Sequence, residues 1–224
     1  MTQVAIVTGA SRGLGRETAK RLAQGGFVVI ATARNQQLLE ELATEVEGIL
    51  PFSTDLKDGQ SVQRLIEFAI EKTGRLDLLV NNAGLGHFAP VEELTEEQFD
   101  EMYEVNLKGA FLTCKYAIPH LKKSQGHILN ISSVAGLESF ARGAGYCASK
   151  FGLQALSDAL TQELKPYHVK VTTFCPGSIK TDFGTKKDYA LDPTYLAEVL
   201  HTIVTAPKGA IWGQLVMRPQ VPQS

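Results

Sequence analysis

The chain has 224 residues, 44% hydrophobic and 21% charged, a balance that fits one sizeable core in one α/β domain. A net charge of −2 gives no electrostatic footing for nucleic acid or an anionic membrane. The opening Met1-Thr2-Gln3-Val4 has no basic run and no long apolar stretch follows, so neither a secretory leader nor a membrane span is expected. Cys114, Cys147 and Cys175 are an odd, widely spaced set that suits a reducing cytoplasm. Five scattered histidines, His87, His120, His127, His168 and His201, give no metal-ligand spacing, and no metal is expected.

Val4 to Gly9 is a short apolar run ending at glycine, the pattern of a strand buried on both faces of a parallel sheet. The turn Gly9-Ala10-Ser11-Arg12-Gly13-Leu14-Gly15 follows, and then a helical stretch from Arg16 to Gln24, stopped by Gly25-Gly26. Strand, glycine turn and helix in this order bring backbone N–H groups and a helix N-terminus to a phosphate. A second run, Phe27 to Ala33, completes a βαβ unit. An NAD site usually has an acid there for the ribose 2′-hydroxyl. Here Arg34 occupies the position and Arg12 sits in the turn, and two guanidiniums clamp a 2′-phosphate that an acid would repel. NADP(H) is therefore expected over NAD(H), which stays possible.

Asp55, with Leu56 behind it, closes the third run, Ile49 to Thr54, as an acceptor for an adenine amine or as a cap for the next helix. Asp58 to Thr73 has Val62, Leu65, Ile66, Ala69 and Ile70 at helical spacing, with Gly74 as the stop. Leu76 to Val80 reads as the fourth strand, ending in Asn81-Asn82-Ala83-Gly84, small and amide residues that suit backbone approach to a ligand. Thr95 and Gln98 spell a capping box, and Leu94 with Phe99 a staple. One long helix is expected beyond, with Phe99, Met102, Asn106, Ala110, Ala117 and Leu121 on its apolar stripe. Asn106 is the misfit there, either a packing amide or a functional one.

Gly126 to Ser132 is the fifth strand, with Ser133 at its carboxyl end. In the helix that follows, Ser149, Gly152, Leu156, Ala159, Leu160 and Leu164 are expected to face the core, and Tyr146, Lys150, Leu153 and Ser157 to line a neighbouring face. Residues four apart on a helix are roughly 5–6 Å apart at Cβ, so Lys150 is placed to favour the ionised form of the Tyr146 phenol. Cys147 points away and packs. Val169 to Phe174 is the sixth strand, broken by Pro176-Gly177. Asp192-Pro193 starts a last helix of about a dozen residues, and Gln214 to Met217 is a final strand before a tail holding Pro219 and Pro222. Strands alternating with helices predict a doubly wound parallel sheet of about seven strands, with ligands at the strands' carboxyl ends.

Together Thr8-Gly-x-x-x-Gly13-x-Gly15, Asn81 to Gly84, Asn106, Ser133, Tyr146-x-x-x-Lys150 and Pro176-Gly177 resemble the classical short-chain dehydrogenase/reductase family, NADP-preferring type, over nearly the whole chain. The resemblance implies a single Rossmann-fold domain over 1–224, a dimer or tetramer, and hydride transfer between a nicotinamide and a carbonyl or secondary alcohol. It implies Tyr146 as the general acid or base, Lys150 as the residue that tunes it and holds the ribose, Ser133 on the substrate oxygen and Asn106 on a water. Ile179 and Thr181 match the stretch that touches the nicotinamide carboxamide. A 3-oxoacyl thioester reductase is one expected subtype; a catalytically silent NADP(H) sensor and a sugar-nucleotide epimerase or dehydratase are the alternatives. Two regions depart from the pattern: the lid over about 181–192 is short, and the Gln214 to Pro219 finish lacks glycines. An open pocket taking small-molecule carbonyls is expected, with His87, Glu138, Phe140 and Arg142 as candidate lining.

Overall fold

Apolar runs buried on both faces draw this chain into a parallel sheet. The computed structural model describes residues 2–181, 183 and 188–220. Its strands are β1 (Val4–Thr8), β2 (Val28–Ala33), β3 (Ile49–Ser53), β4 (Leu78–Asn81), β5 (His127–Ile131), β6 (Lys170–Pro176) and β7 (Gln214–Met217). All seven pair in parallel in the order β3-β2-β1-β4-β5-β6-β7. The order reverses between β1 and β4, which opens the ligand crevice of such sheets at that point.

The helices are α1 (Gly13–Gln24), α2 (Gln36–Glu45), α3 (Gly59–Thr73), α4 (Glu96–Tyr103), α5 (Gly109–Ser124), α6 (Ala144–Leu164) and α7 (Pro193–Val204). Side chains of a strand alternate between faces, so the sheet feeds two cores. On one face Ala5, Val7, Val29 and Val80 meet Leu14 and Leu22 of α1, Leu39 and Leu42 of α2, and Leu196 and Leu200 of α7. On the other, Val4, Ile6, Ile30 and Leu79 meet Leu65 and Ile66 of α3, Ala117 and Leu121 of α5, and Leu160 of α6. At the amino edge of the sheet the buried Asp77 carboxylate accepts from the Val4 N–H at 2.8 Å and from Arg75 at 2.9 and 2.6 Å.

The expected caps form. Thr95 and Gln98 make the reciprocal capping box of α4, and Leu94 and Phe99 both reach over Gly145. Asp192 accepts from the Thr194 and Tyr195 N–H groups, with Pro193 in the first turn of α7. Gly74 ends α3 at φ +74°. Asp58, not Asp55, caps α3; Asp55 accepts instead from the Lys57 N–H at 3.0 Å, within its own turn. Helix α1 starts at Gly13, three residues before the expected Arg16, because the glycine turn itself supplies the first helical turn. Helix α2, which the sequence pattern does not single out, is capped by Asn35 on the Leu38 N–H.

Two helix readings need correction. The single long helix expected after Thr95 is divided by a π-helical turn, Glu104–Lys108, with Asn106 inside it, and Phe99 is half exposed rather than on the buried stripe. In α6 Ser149, Leu160 and Leu164 are buried as expected, but Tyr146, Lys150, Leu153 and Ser157 are buried with them, while Ala159 is exposed and Gly152 and Leu156 are half-buried. Polar residues take the core side because that side abuts β5 and the loop after it, where hydrogen-bond partners await them. Part of the lid expected over 181–192, residues 182 and 184–187, lies outside the described residues, as does Pro222.

Candidate active site

Thr8, the last residue of β1, fastens the floor of the crevice. Its hydroxyl accepts from the Asn82 and Ala83 N–H groups at 3.0 and 3.1 Å and donates to the Val80 carbonyl at 3.3 Å. The Asn82 side chain donates to the Thr8 carbonyl at 2.9 Å, so this amide faces the protein and locks the β4 loop onto the glycine turn. The turn needs its glycines. Gly9 has φ +68°, and a Cβ on it would meet Ala83 Cα at 2.9 Å. A Cβ on Gly15 would stand 2.3 Å from Asn82 Nδ2 and 2.4 Å from the Gly9 carbonyl oxygen. Among the described residues no side chain caps the start of α1, which leaves its first N–H groups directed into the crevice. Arg12 and Arg34 are exposed at this end, and among the described residues neither guanidinium has an ion pair or hydrogen bond. Free N–H groups, a helix N-terminus and two cations make this end fit for phosphates.

The other end is built from β5 and α6. Lys150 is 4% exposed, and its ammonium donates to the Ile131 carbonyl at 3.0 Å. Burial lowers its pKa to about 8. The ammonium lies 5.8 Å from the centre of the Tyr146 ring. Tyr146 is 8% exposed, with Ser133 as the polar neighbour of its phenol. The phenol is pushed up to about 12, chiefly by desolvation, with Ser133 opposing the shift. The expected lowering of the phenol by Lys150 is not found: withdrawal from water, with a smaller push from Cys147, costs a phenolate more than Ser133 returns.

Ser133 caps the short 3-10 turn Val134–Gly136 by accepting from the Ala135 N–H at 3.1 Å. That turn packs hard on α6. A Cβ on Gly136 would meet Ser132 Oγ at 2.7 Å and the Lys150 carbonyl oxygen at 2.8 Å. Gly136 thus sets how closely Ser133 approaches Tyr146 and Lys150, a role that only the packing discloses. Asn106 is 1% exposed; its oxygen accepts from the Leu85 N–H at 2.8 Å, and its nitrogen donates to the Leu85 carbonyl at 2.8 Å and Ser149 Oγ at 3.0 Å. The misfit amide ties the β4 loop to α6 through the π-turn, a local irregularity frequent at functional sites.

Both ends open into one cleft of about 1320 Å³. It is lined by Gly9, Ser11, Arg12, Gly13, Leu14, Gly15, Arg34, Asp55, Leu56, Asn82, Ala83, Gly84, Ser133, Tyr146, Lys150, Pro176, Gly177, Ile179 and Thr181. These are all the catalytic and cofactor-binding residues expected from the sequence except Asn106, which lies behind the wall. Ile179 bridges to Leu191, and Thr181 leans over Gly13, so the segment after β6 covers the glycine turn. Of the four candidate pocket residues only Phe140 lines the cleft. His87 pairs with Glu101 at 2.9 Å, Glu138 pairs with Arg218 at 2.7 Å, and Arg142 sits at φ +69° in the turn before α6. His87 and Glu138 thus pair with other charged side chains instead. Sequence reasoning missed Leu85, Phe88, Val134 and Phe183 in the lining, loop residues with no periodic signal.

A model of the short chain dehydrogenase family matches residues 3–191, and the chain belongs to that family. It is similar to an oxidoreductase of Staphylococcus epidermidis, 33% identical with 97% of each chain covered. Among solved structures it resembles an alcohol dehydrogenase of the archaeon Thermococcus sibiricus complexed with 5-hydroxy-NADP, at 33% identity, full coverage of both chains and a TM-score of 0.94. It also resembles a 3-ketoacyl-(acyl-carrier-protein) reductase of Brucella melitensis complexed with NADH, at 31% identity, 96% coverage of both chains and a TM-score of 0.90. The class is that of an oxidoreductase.

The interlock at Gly15 predicts that Gly15→Ala loses about 1–3 kcal/mol of stability, the cost of forcing a methyl into a packed site. Urea unfolding measures it, and an unchanged midpoint contradicts the interlock.

Proposed function

We propose that this chain is an NADP(H)-dependent oxidoreductase that interconverts a carbonyl and a secondary alcohol in the cytoplasm. The observation that carries the reading is one cleft with the Ser133, Tyr146 and Lys150 groups at one end and Arg12 and Arg34 at the other. The residues fit a nicotinamide dinucleotide. Gly9 and Gly15 leave no room for a Cβ, the start of α1 lacks a side-chain cap, and both arginines are without protein partners among the described residues. Nicotinamide ligands in the two structural relatives support the same reading.

In this reading Gly13 to Gly15 and the first turn of α1 hold the pyrophosphate, Arg12 and Arg34 the 2′-phosphate, and Asp55 with Leu56 the adenine end. Lys150 donates to the ribose hydroxyls, and Ile179 and Thr181 meet the carboxamide. When bound, the reduced nicotinamide supplies a hydride to the carbonyl carbon. Ser133 donates to the substrate oxygen and holds it beside the phenol. Tyr146 delivers its proton to that oxygen as negative charge develops, and takes it back in the oxidative direction. Asn106 acts as a positioning residue, holding Leu85 and thereby the Asn82–Gly84 loop; in the family's terms it also anchors a water. Exposed Tyr103, Phe111 and Phe151 on α4, α5 and α6 support assembly as a homodimer or homotetramer. No helix among the described residues is long and apolar enough to cross a membrane.

Replacing Tyr146 by Phe is expected to lower carbonyl reduction by about 10²–10⁴-fold, the range for a general acid, with NADPH binding retained in a fluorescence titration. Residual activity near wild type defeats the assignment. Arg34→Asp is expected to weaken NADPH binding by tenfold or more, roughly the worth of a charge-assisted hydrogen bond, and to leave NADH nearly unchanged. Equal losses for both cofactors refute the clamp.

The pH profiles follow from the two shifted groups. With its pKa raised to about 12, Tyr146 keeps its proton at neutral pH, so reduction is level there and declines as Lys150 loses its charge above about 8. Oxidation needs the phenolate, whose share grows with pH, so its rate is expected to climb through pH 9 and beyond. Initial rates in both directions test this, and an oxidation optimum at neutral pH contradicts it.

A further inference from the structure

Three rings crowd the reactive end of the cleft. Phe88 follows β4, Phe140 follows β5 and Phe183 follows β6, so three loops from adjacent strands deliver one ring each. Phe88 lies edge-on to Tyr146 at 5.5 Å between centres, Phe183 lies 5.6 Å from Tyr146, and Phe88 is 5.9 Å from Phe140 and 6.3 Å from Phe183. All three line the cleft, yet they keep 38%, 49% and 42% of their surface exposed. Open ring faces inside a concave site are ligand-contact surface rather than core.

The rings are also seated. A Cβ on Gly86 would stand 2.7 Å from the Phe88 ring and 3.1 Å from Phe183, and one on Gly143 would stand 2.6 Å from Phe140. Two glycines therefore make the space in which the rings lie. Besides Ser133 and Lys150, Tyr146 packs with the apolar side chains of Leu85, Ala135 and Met102. The candidate charges have gone elsewhere, His87 to Glu101 and Glu138 to Arg218.

Resting on the carbonyl-reductase reading, we propose that the substrate is a neutral aryl carbonyl, an aromatic ketone or aldehyde, whose ring packs among Phe88, Phe140 and Phe183. Ring pairs with centres 4.5–7 Å apart in tilted or edge-on geometry favour a ring over an alkyl group by a few-fold to about tenfold beyond area alone. Among the described residues the cation recorded against this ring cluster is Lys150, 5.8 Å from the Tyr146 ring, so a carboxylate held there would lose its water for little return. The reaction balances as hydride to the carbonyl carbon from NADPH and a proton to oxygen from Tyr146, leaving NADP⁺ and a benzylic alcohol.

The test compares acetophenone, cyclohexyl methyl ketone, acetoacetate and an acetoacetyl thioester with NADPH, in wild type, Phe88→Ala and Phe140→Ala. Acetophenone is expected to exceed acetoacetate in kcat/KM by about 100-fold or more and the cyclohexyl ketone by about 3–10-fold. Each Ala variant is expected to lose about tenfold on acetophenone and little on the thioester, with NADPH affinity and melting temperature unchanged. Acetoacetate or thioester reduced as well as acetophenone overturns the aryl assignment while leaving the carbonyl-reductase reading intact. A uniform loss on all four substrates overturns it as well. If NADPH binds and no carbonyl is reduced, the proposed oxidoreductase reading falls, and the aryl assignment with it.

Discussion

Parallel pairing of all seven strands is the constraint from which the rest follows. A parallel neighbour is reached only by a crossover, so each strand must leave by the same edge and return through a helix on one face. Every loop that follows a strand is thereby gathered at a single edge. Gly9, Arg34, Asn82, Ser133 and Gly177, far apart in the chain, end up around one cleft for that reason. The reversal between β1 and β4 opens the crevice, and the Thr8 hydroxyl joins the two strands across it.

The site is divided by electrostatics as well as by shape. One end is wet and cationic, with Arg12 and Arg34 exposed and the first turn of α1 uncapped. The other is dry. Tyr146 and Lys150 have moved in opposite directions, the phenol up and the ammonium down, and for one reason, because burial disfavours the charged form of each. Both are brought toward their neutral forms. A neutral phenol is a ready proton donor, and the rings of Phe88, Phe140 and Phe183 extend the same dry environment around it.

Strong spacing carried the sequence reading. The apolar runs, the glycine turn, the Thr95 capping box and the Asp192-Pro193 start all have local causes and reappear in the fold. Tyr146 and Lys150 could be paired from helical periodicity alone. The errors arose where tertiary contacts overrode a local pattern. Ala159 and Phe99 fit an apolar stripe and are exposed, whereas Lys150, Ser157 and Asn106 are polar and buried. Each of those polar groups has found a partner on a distant segment: Ile131 for Lys150, Asn130 for Ser157, Leu85 for Asn106. His87, Glu138 and Arg142 were drawn toward the pocket by chain position, and none of them lines it.

Alone, the amino-acid sequence determined the order of the strands and most of the helices between them, the single sheet they build, and the polar groups at its carboxyl edge, since these depend on residue type and short-range spacing. Only the tertiary structure decided how close those groups stand, which are dry, and which rings surround them. Gly136 pressed on the Lys150 backbone, the π-turn at Asn106 and the three-phenylalanine wall all arise between segments distant in the chain. Burial and long-range contact are properties of the packed whole, and no local pattern encodes them.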